Sequence, residues 1–151
     1  MATTTFTRAR SGAARGFISL DVIGLDQIAT ALKALGDQAA PVLAKILYQE
    51  AEFRVMPEAK KQAPHDLGIL EASGMVALPK ISGTTVTVEI GFGGAASDYA
   101  LRQHEELEWH HPQAGKKAKY LEDPFNANLQ GFDERVAAAL RKELPGYLEL
   151  E

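Results

Sequence analysis

The chain contains no cysteine. That excludes a disulfide framework, a thiolate zinc site and a cysteine nucleophile, and it fits a reducing compartment. No apolar run approaches the roughly 20 residues that cross a bilayer. The opening "MATTTFTRARSGAARG" lacks the apolar centre of a secretory signal. The expected setting is therefore the cytoplasm, or a particle assembled there. A net charge of −4 gives no global drive toward nucleic acid.

What remains is an ordinary globular composition: 151 residues, 46% hydrophobic and 24% charged. This is one domain's worth of chain, long enough to bury a core. Residues 1–16 read as a flexible basic arm. Arg8, Arg10 and Arg15 stand among Ala, Thr and Gly, and no acidic residue precedes Asp21. Two readings stay open: a frayed tail, or an arm that orders on a partner chain or on DNA. Residues 17–145 read as a single α+β domain, and residues 146–151 as an acidic tail.

Within the domain, Ile18, Leu20 and Val22 alternate with Ser19 and Asp21, the period of a half-buried strand. Leu25, Ile28, Leu32 and Leu35 then make a helical stripe. Val42, Leu43, Ile46, Leu47 and Val55 mark a longer helix with Pro41 in its first turn. Pro57 should kink or restart that helix, and Pro64 should end it. Asp66 is placed to cap a short turn, and Gly68 to take unusual dihedrals.

"GMVALPKISG" and "TTVTVEIGF" read as an antiparallel hairpin, with Val86, Val88, Ile90 and Phe92 on one face. "GFGGAASD" reads as a flexible loop; it lacks the spacing and the lysine of a phosphate-binding motif. "YALRQHE" reads as another short strand, with Tyr99 and Leu101 facing one way. Asp123 and Pro124 signal the start of a last helix, whose stripe is Phe125, Leu129, Phe132, Val136, Leu140 and Leu144. The expected architecture is a small antiparallel sheet of about four strands. It packs on a long N-terminal helical stretch and a C-terminal amphipathic helix.

The candidate site is "HEELEWHHPQAGKKAKYLEDPF", residues 104–125. It holds His104, His110 and His111 beside Glu105, Glu106 and Glu108. A zinc-protease helix requires His-Glu-x-x-His. Here the second histidine falls six residues after the first, off the same helical face, and Pro112 argues against a helix through the run. Three imidazoles converging from a loop would still make a zinc site, and with it a small metal-dependent hydrolase. The other reading is structural: His104 hydrogen-bonded at the end of a strand, Trp109 an apolar anchor, and Lys116, Lys117 and Lys119 paired with the acidic run inside the fold or across subunits. No nucleophile elbow surrounds Ser73 or Ser97. A DNA-binding accessory protein acting through the basic arm is a further class, and salt-dependent binding would reveal it.

The order of these pieces resembles the tail-completion or head–tail joining family of long-tailed bacteriophages. The resemblance runs through "IGLDQIATALKAL" (23–35), "EAKKQAPHDLGILEAS" (58–73), "TTVTVEIGF" and "YALRQHEELEWHHPQAGKKAKYLEDPF" (99–125), and covers residues 18–144. His65 and Leu67 stand where the family usually has valine and threonine, and Pro57 departs from its pattern. The resemblance implies a non-enzymatic virion protein, assembled in the host cytoplasm, that forms a ring at the neck or serves as a minor capsid component. It implies no cofactor. The partners would be copies of the chain itself, neighbouring neck, connector or tail proteins, and packaged DNA through non-specific contact. The expected partner-binding residues are Arg8, Arg10, Arg15, Phe92, Tyr99, His104, Glu105, Trp109, Lys116, Lys117 and Lys119.

Overall fold

The apolar stripe that begins at Val42 forms a helix, and Pro57 decides its shape. In the computed structural model, which describes residues 3–8, 18–23, 39–65, 67–82 and 85–144, helix α1 spans Ala39–Glu50. One π-helical turn follows at Ala51–Val55, then α2 at Met56–Gln62. A proline has no N–H to give, and its ring crowds the carbonyl four residues back. The wide turn directly before Pro57 accommodates both: the Met56 N–H bonds to the Ala51 carbonyl, five residues earlier. Ala63 is extended (φ −61°, ψ 132°) ahead of Pro64, so the helix ends where the sequence requires. The helix expected over Leu25–Leu35, the cap at Asp66 and the tail at 146–151 lie outside the described residues.

The hairpin forms in two pieces. Strand β3 (Met75–Val76) pairs antiparallel with β6 (Ile90–Gly91), and β4 (Lys80–Ser82) with β5 (Thr85–Thr87). Val76 faces Ile90, Ala77 N–H bonds to Glu89 O, and Lys80 faces Thr87. Leu78 and Pro79 are therefore left opposite Val88 alone. This is a β-bulge at a proline that has no ladder donor to contribute. The expected alternation survives on the other strand: Ile90 and Phe92 are buried, Val86 and Val88 half-buried, and Glu89 exposed.

Three expectations are corrected. First, residues Thr3–Arg8, read as part of an arm, form strand β1, paired antiparallel with β2 (Ile18–Ile23) from Thr3↔Ile23 to Arg8↔Ile18. The run of threonines around Phe6 has the β-branched, aromatic character that strands favour. Arg10 and Arg15 lie outside the described residues. Second, "YALRQHE" is helical: α4 spans Ser97–Glu105 and buries Ala100 and His104, four residues apart. Consequently, no ladder among the described residues exceeds two strands, and the expected four-stranded sheet is not seen among them. Third, the glycine-rich loop is a tight turn of 3₁₀ helix at Gly94–Ala96 that feeds α4, with Phe92, Gly93 and Ala96 buried.

A short helix, α3 (Ile69–Ala72), enters through Gly68 at φ +76°, in the left-handed region. The last stripe is split between α5 (Glu122–Leu129) and α6 (Phe132–Glu143) by Gly131 at φ +69°. Asp123 and Pro124 sit inside the first turn of α5 rather than at its cap and first position. Arg135 holds the break: Nη2 donates to Asn128 O, Nη1 to Gln130 O, and Nε to Glu50 Oε2 at the end of α1.

Two cores result. One packs Val55, Met56, Leu70, Ile90, Phe92, Tyr120 and Leu121 together; the other packs Ile46 of α1 against Phe132, Val136 and Leu140 of α6. Each such side chain contributes about 1.5–3 kcal/mol by leaving water. Gly74 sits where the first core meets the backbone. A Cβ there would lie 2.8 Å from both Met56 Sδ and the Phe92 ring edge. The methionine end can swing aside, but the ring is fixed. Gly74→Ala is expected to lower stability by about 1–3 kcal/mol in a urea unfolding experiment.

Candidate functional site

The lysine-rich run is a strap across helix ends. Lys117 N–H bonds to Gln62 O, the last residue of α2, at 2.9 Å, and Lys119 N–H bonds to His104 O near the end of α4 at 2.8 Å. Two of the carbonyls that every helix leaves unpaired at its C-terminus are thereby satisfied. The Lys116 ammonium reaches Lys60 O at 3.4 Å and Glu71 at 3.3 Å, so positive charge also sits at the negative end of α2. To make these bonds Lys119 adopts φ +56°, alone among the described non-glycine residues.

His104 is wholly buried, edge-on to Tyr120 with ring centroids 5.0 Å apart. The Glu122 N–H points at His104 Nε2 at 3.3 Å, which makes that nitrogen an acceptor. Nδ1 then carries the proton and donates to Glu105 Oε1 at 2.7 Å. Burial pushes the imidazole below its ordinary value; Glu105 and Glu122 act against that, and Lys119 reinforces it. Lys119 Nζ lies 2.6 Å from Glu105 Oε2 and 2.9 Å from Glu122 Oε2. Burial disfavours its charge, but the two carboxylates outweigh this and raise its pKa. Below His104, the buried Tyr120 hydroxyl donates to Ala100 O at 2.7 Å, and burial pushes the phenol up.

This geometry separates the three histidines. Among the described residues, the one group of potential ligand atoms that comes together is His104, Glu105 and Glu122. Its donor set does not suit a cation: both imidazole nitrogens are engaged, and the Lys119 ammonium already sits between the two carboxylates. His110 is exposed on the loop, and His111 is turned toward a cleft. The alternative in which His104, His110 and His111 converge on a zinc ion is not supported: the three do not come together.

The other expected contact residues divide sharply. Phe92 is wholly buried, edge-on to Tyr120 at 4.9 Å, and His104 is buried too, so neither can meet a partner. Glu105, Lys116 and Lys119 are paired within the fold, and Lys117 pairs with Asp123. Trp109 remains 39% exposed under the Arg102 guanidinium, 5.1 Å from the ring centroid. Tyr99, half-buried, lines the cleft, which has a volume of about 560 Å³. Sequence reasoning missed that cleft, which lies between α3, α4 and the loop 111–113. It also gave no site role to the fourth histidine, His65, which pairs with Glu71 at 2.9 Å and lines the cleft.

No family model, curated protein or solved structure matches the chain.

Proposed function

We propose that the chain is a structural subunit of a tailed-bacteriophage virion, forming a ring at the head–tail junction or serving as a minor capsid component, without catalysis. The observation that carries this reading is the placement of exposed apolar side chains. On the hairpin, Met75, Leu78 and Ile81 are 50%, 79% and 48% exposed; on the loop after α4, Leu107 and Trp109 are 72% and 39% exposed. A subunit that closes a ring must present two different surfaces, one to each neighbour. Two apolar segments on separate elements meet that requirement, and apolar rims of this kind mark interaction sites.

The ordered blocks of residues 18–144 that resemble the phage family support the same reading. So does the use of the charged loop: its histidine and lysines hold helices together rather than a reactive centre. In the assembled particle the neighbours would be further copies and adjoining neck, connector or tail proteins. The cationic residues Arg8, Arg10 and Arg15 would be the candidates for contact with packaged DNA. Leu78→Asp and Trp109→Asp are surface changes that should leave the monomer folded. Each is expected to convert the assembled species to monomer in sedimentation velocity. Assembly unchanged in both variants would refute these two surfaces as the interface.

A further inference from the structure

The cleft is lined by Pro, Leu, Ile, Tyr, Gln and His side chains, and no Lys, Arg, Asp or Glu lines it among the described residues. A phosphate or carboxylate would find no cation on these walls, and an ammonium no anion. The volume of about 560 Å³ falls within the roughly 300–1,000 Å³ typical of small-molecule sites. On α4, Tyr99 and Gln103 stand four residues apart on one helix face, and both line the cleft. Gln103 Oε1 is buried without a hydrogen-bond partner among the described residues, and so is His111 Nε2 on the loop wall. Leaving such atoms unbonded is a net cost to the fold. That loop is held in place, because Gln113 Nε2 donates to His65 O. His65 Nδ1 faces the Glu71 carboxylate at 2.9 Å, so in the neutral ring it carries the proton and Nε2 is left as an acceptor.

An occupant that meets these terms is uncharged, flat enough to lie against a tyrosine ring, and edged with N–H donors. A hydrocarbon would leave both buried atoms unbonded. We propose that the cleft binds an uncharged, amino-substituted nitrogen heterocycle, the chemistry that an adenine base presents. Gln103 is the reading residue. A glutamine carboxamide matches the adenine edge with two bonds: Oε1 accepts from the exocyclic amino group, and Nε2 donates to the neighbouring ring nitrogen. The last torsion of glutamine is broad, so the amide can turn its oxygen from the wall toward the ring. Tyr99, one turn back along α4, supplies a face for stacking. Ile69 and Leu70 of α3 add apolar wall. A free nucleoside and a base in a single nucleic-acid strand share this chemistry. The proposal stands apart from the ring reading, since it concerns the cleft of one chain.

The test titrates the full chain with 9-methyladenine and follows the Gln103 side-chain amide by NMR, its signals assigned through their loss in Gln103→Leu. A saturable shift is expected. 9-Methylpurine, which keeps the ring but lacks the amino group, should bind at least tenfold more weakly. So should 9-methyladenine to Gln103→Leu, followed through the Tyr99 ring signals. That variant is of similar size and removes an unpaired oxygen, so its urea midpoint should not fall. Adenosine and a deoxyadenylate hexamer then separate the sources: a shift with the nucleoside alone assigns a free small molecule, and tighter binding of the hexamer a single strand. No saturable shift, equal binding of the two bases, or binding unchanged in Gln103→Leu overturns the proposal.

Discussion

Phe92→Ala is expected to destabilise the protein by about 3–5 kcal/mol in equilibrium urea unfolding, the range for deleting a buried phenylalanine. Phe92 is fully buried and meets Tyr120 edge to face. It ends the alternating strand, and its ring edge lies against the backbone at Gly74. Losing it therefore removes transfer free energy and opens a cavity between the hairpin, α2 and Tyr120. The residue's place on a strand face left two roles open in the sequence, core or contact. A loss below about 1 kcal/mol, outside the usual range for a buried ring, together with impaired assembly, would restore the contact role.

The second large effect is a loss of stability in mild acid, governed by His104. Its folded pKa lies below the ordinary value of 6.5 because burial disfavours the cation. The unfolded chain therefore binds the proton first, so the stabilisation is complete above about pH 6.5 and is lost as pH falls through the folded value. The structural cause is direct: a proton added at Nε2 would face the Glu122 N–H, donor against donor. Below that window a further loss follows from Glu71 and Glu105. His65 and then Lys116 hold the Glu71 carboxyl low; at Glu105, burial raises the value, but the bonds from Lys119 and His104 outweigh it. Unfolding free energies measured between pH 7.5 and 5 should fall in the wild type and flatten in His104→Gln, while the decline at lower pH persists in both. Equal slopes in the two proteins would show that His104 does not govern the window.

Much of the helical framework was legible because its signals are strong and local. Pro41, Pro57 and Pro64 fix where the long helix starts, widens and ends, and the stripe from Phe125 to Leu144 is buried at Phe125, Phe132, Val136 and Leu140 and half-buried at Leu129 and Leu144. The turn between α5 and α6 was not legible because the stripe continues in phase across Gly131; only the glycine's left-handed φ and the Arg135 bonds reveal it. Helix α4 was misread for a different reason. Its buried face consists of Ala100 and His104, residues too small or too polar to register as an apolar period, while Tyr99 and Leu101 mimic strand alternation.

The site was legible only as a place. The sequence marks residues 104–125 as unusual and offers internal pairing of its charges as one outcome. It does not show that Lys119 takes a left-handed backbone, brings its N–H to His104 O and puts its ammonium between Glu105 and Glu122. Those facts depend on the approach of α4 to the strap, a contact between residues far enough apart in sequence that no local period encodes it. The cleft is hidden for the same reason, since it joins three segments that are separate in the chain.

The central proposal is that this chain builds a closed assembly without catalysis. Native mass spectrometry of the purified full chain, with negative-stain images of the same sample, tests it most directly. The account predicts a single high-order oligomer that appears as rings, alone or on addition of the adjoining neck protein. A strictly monomeric species under both conditions would contradict it.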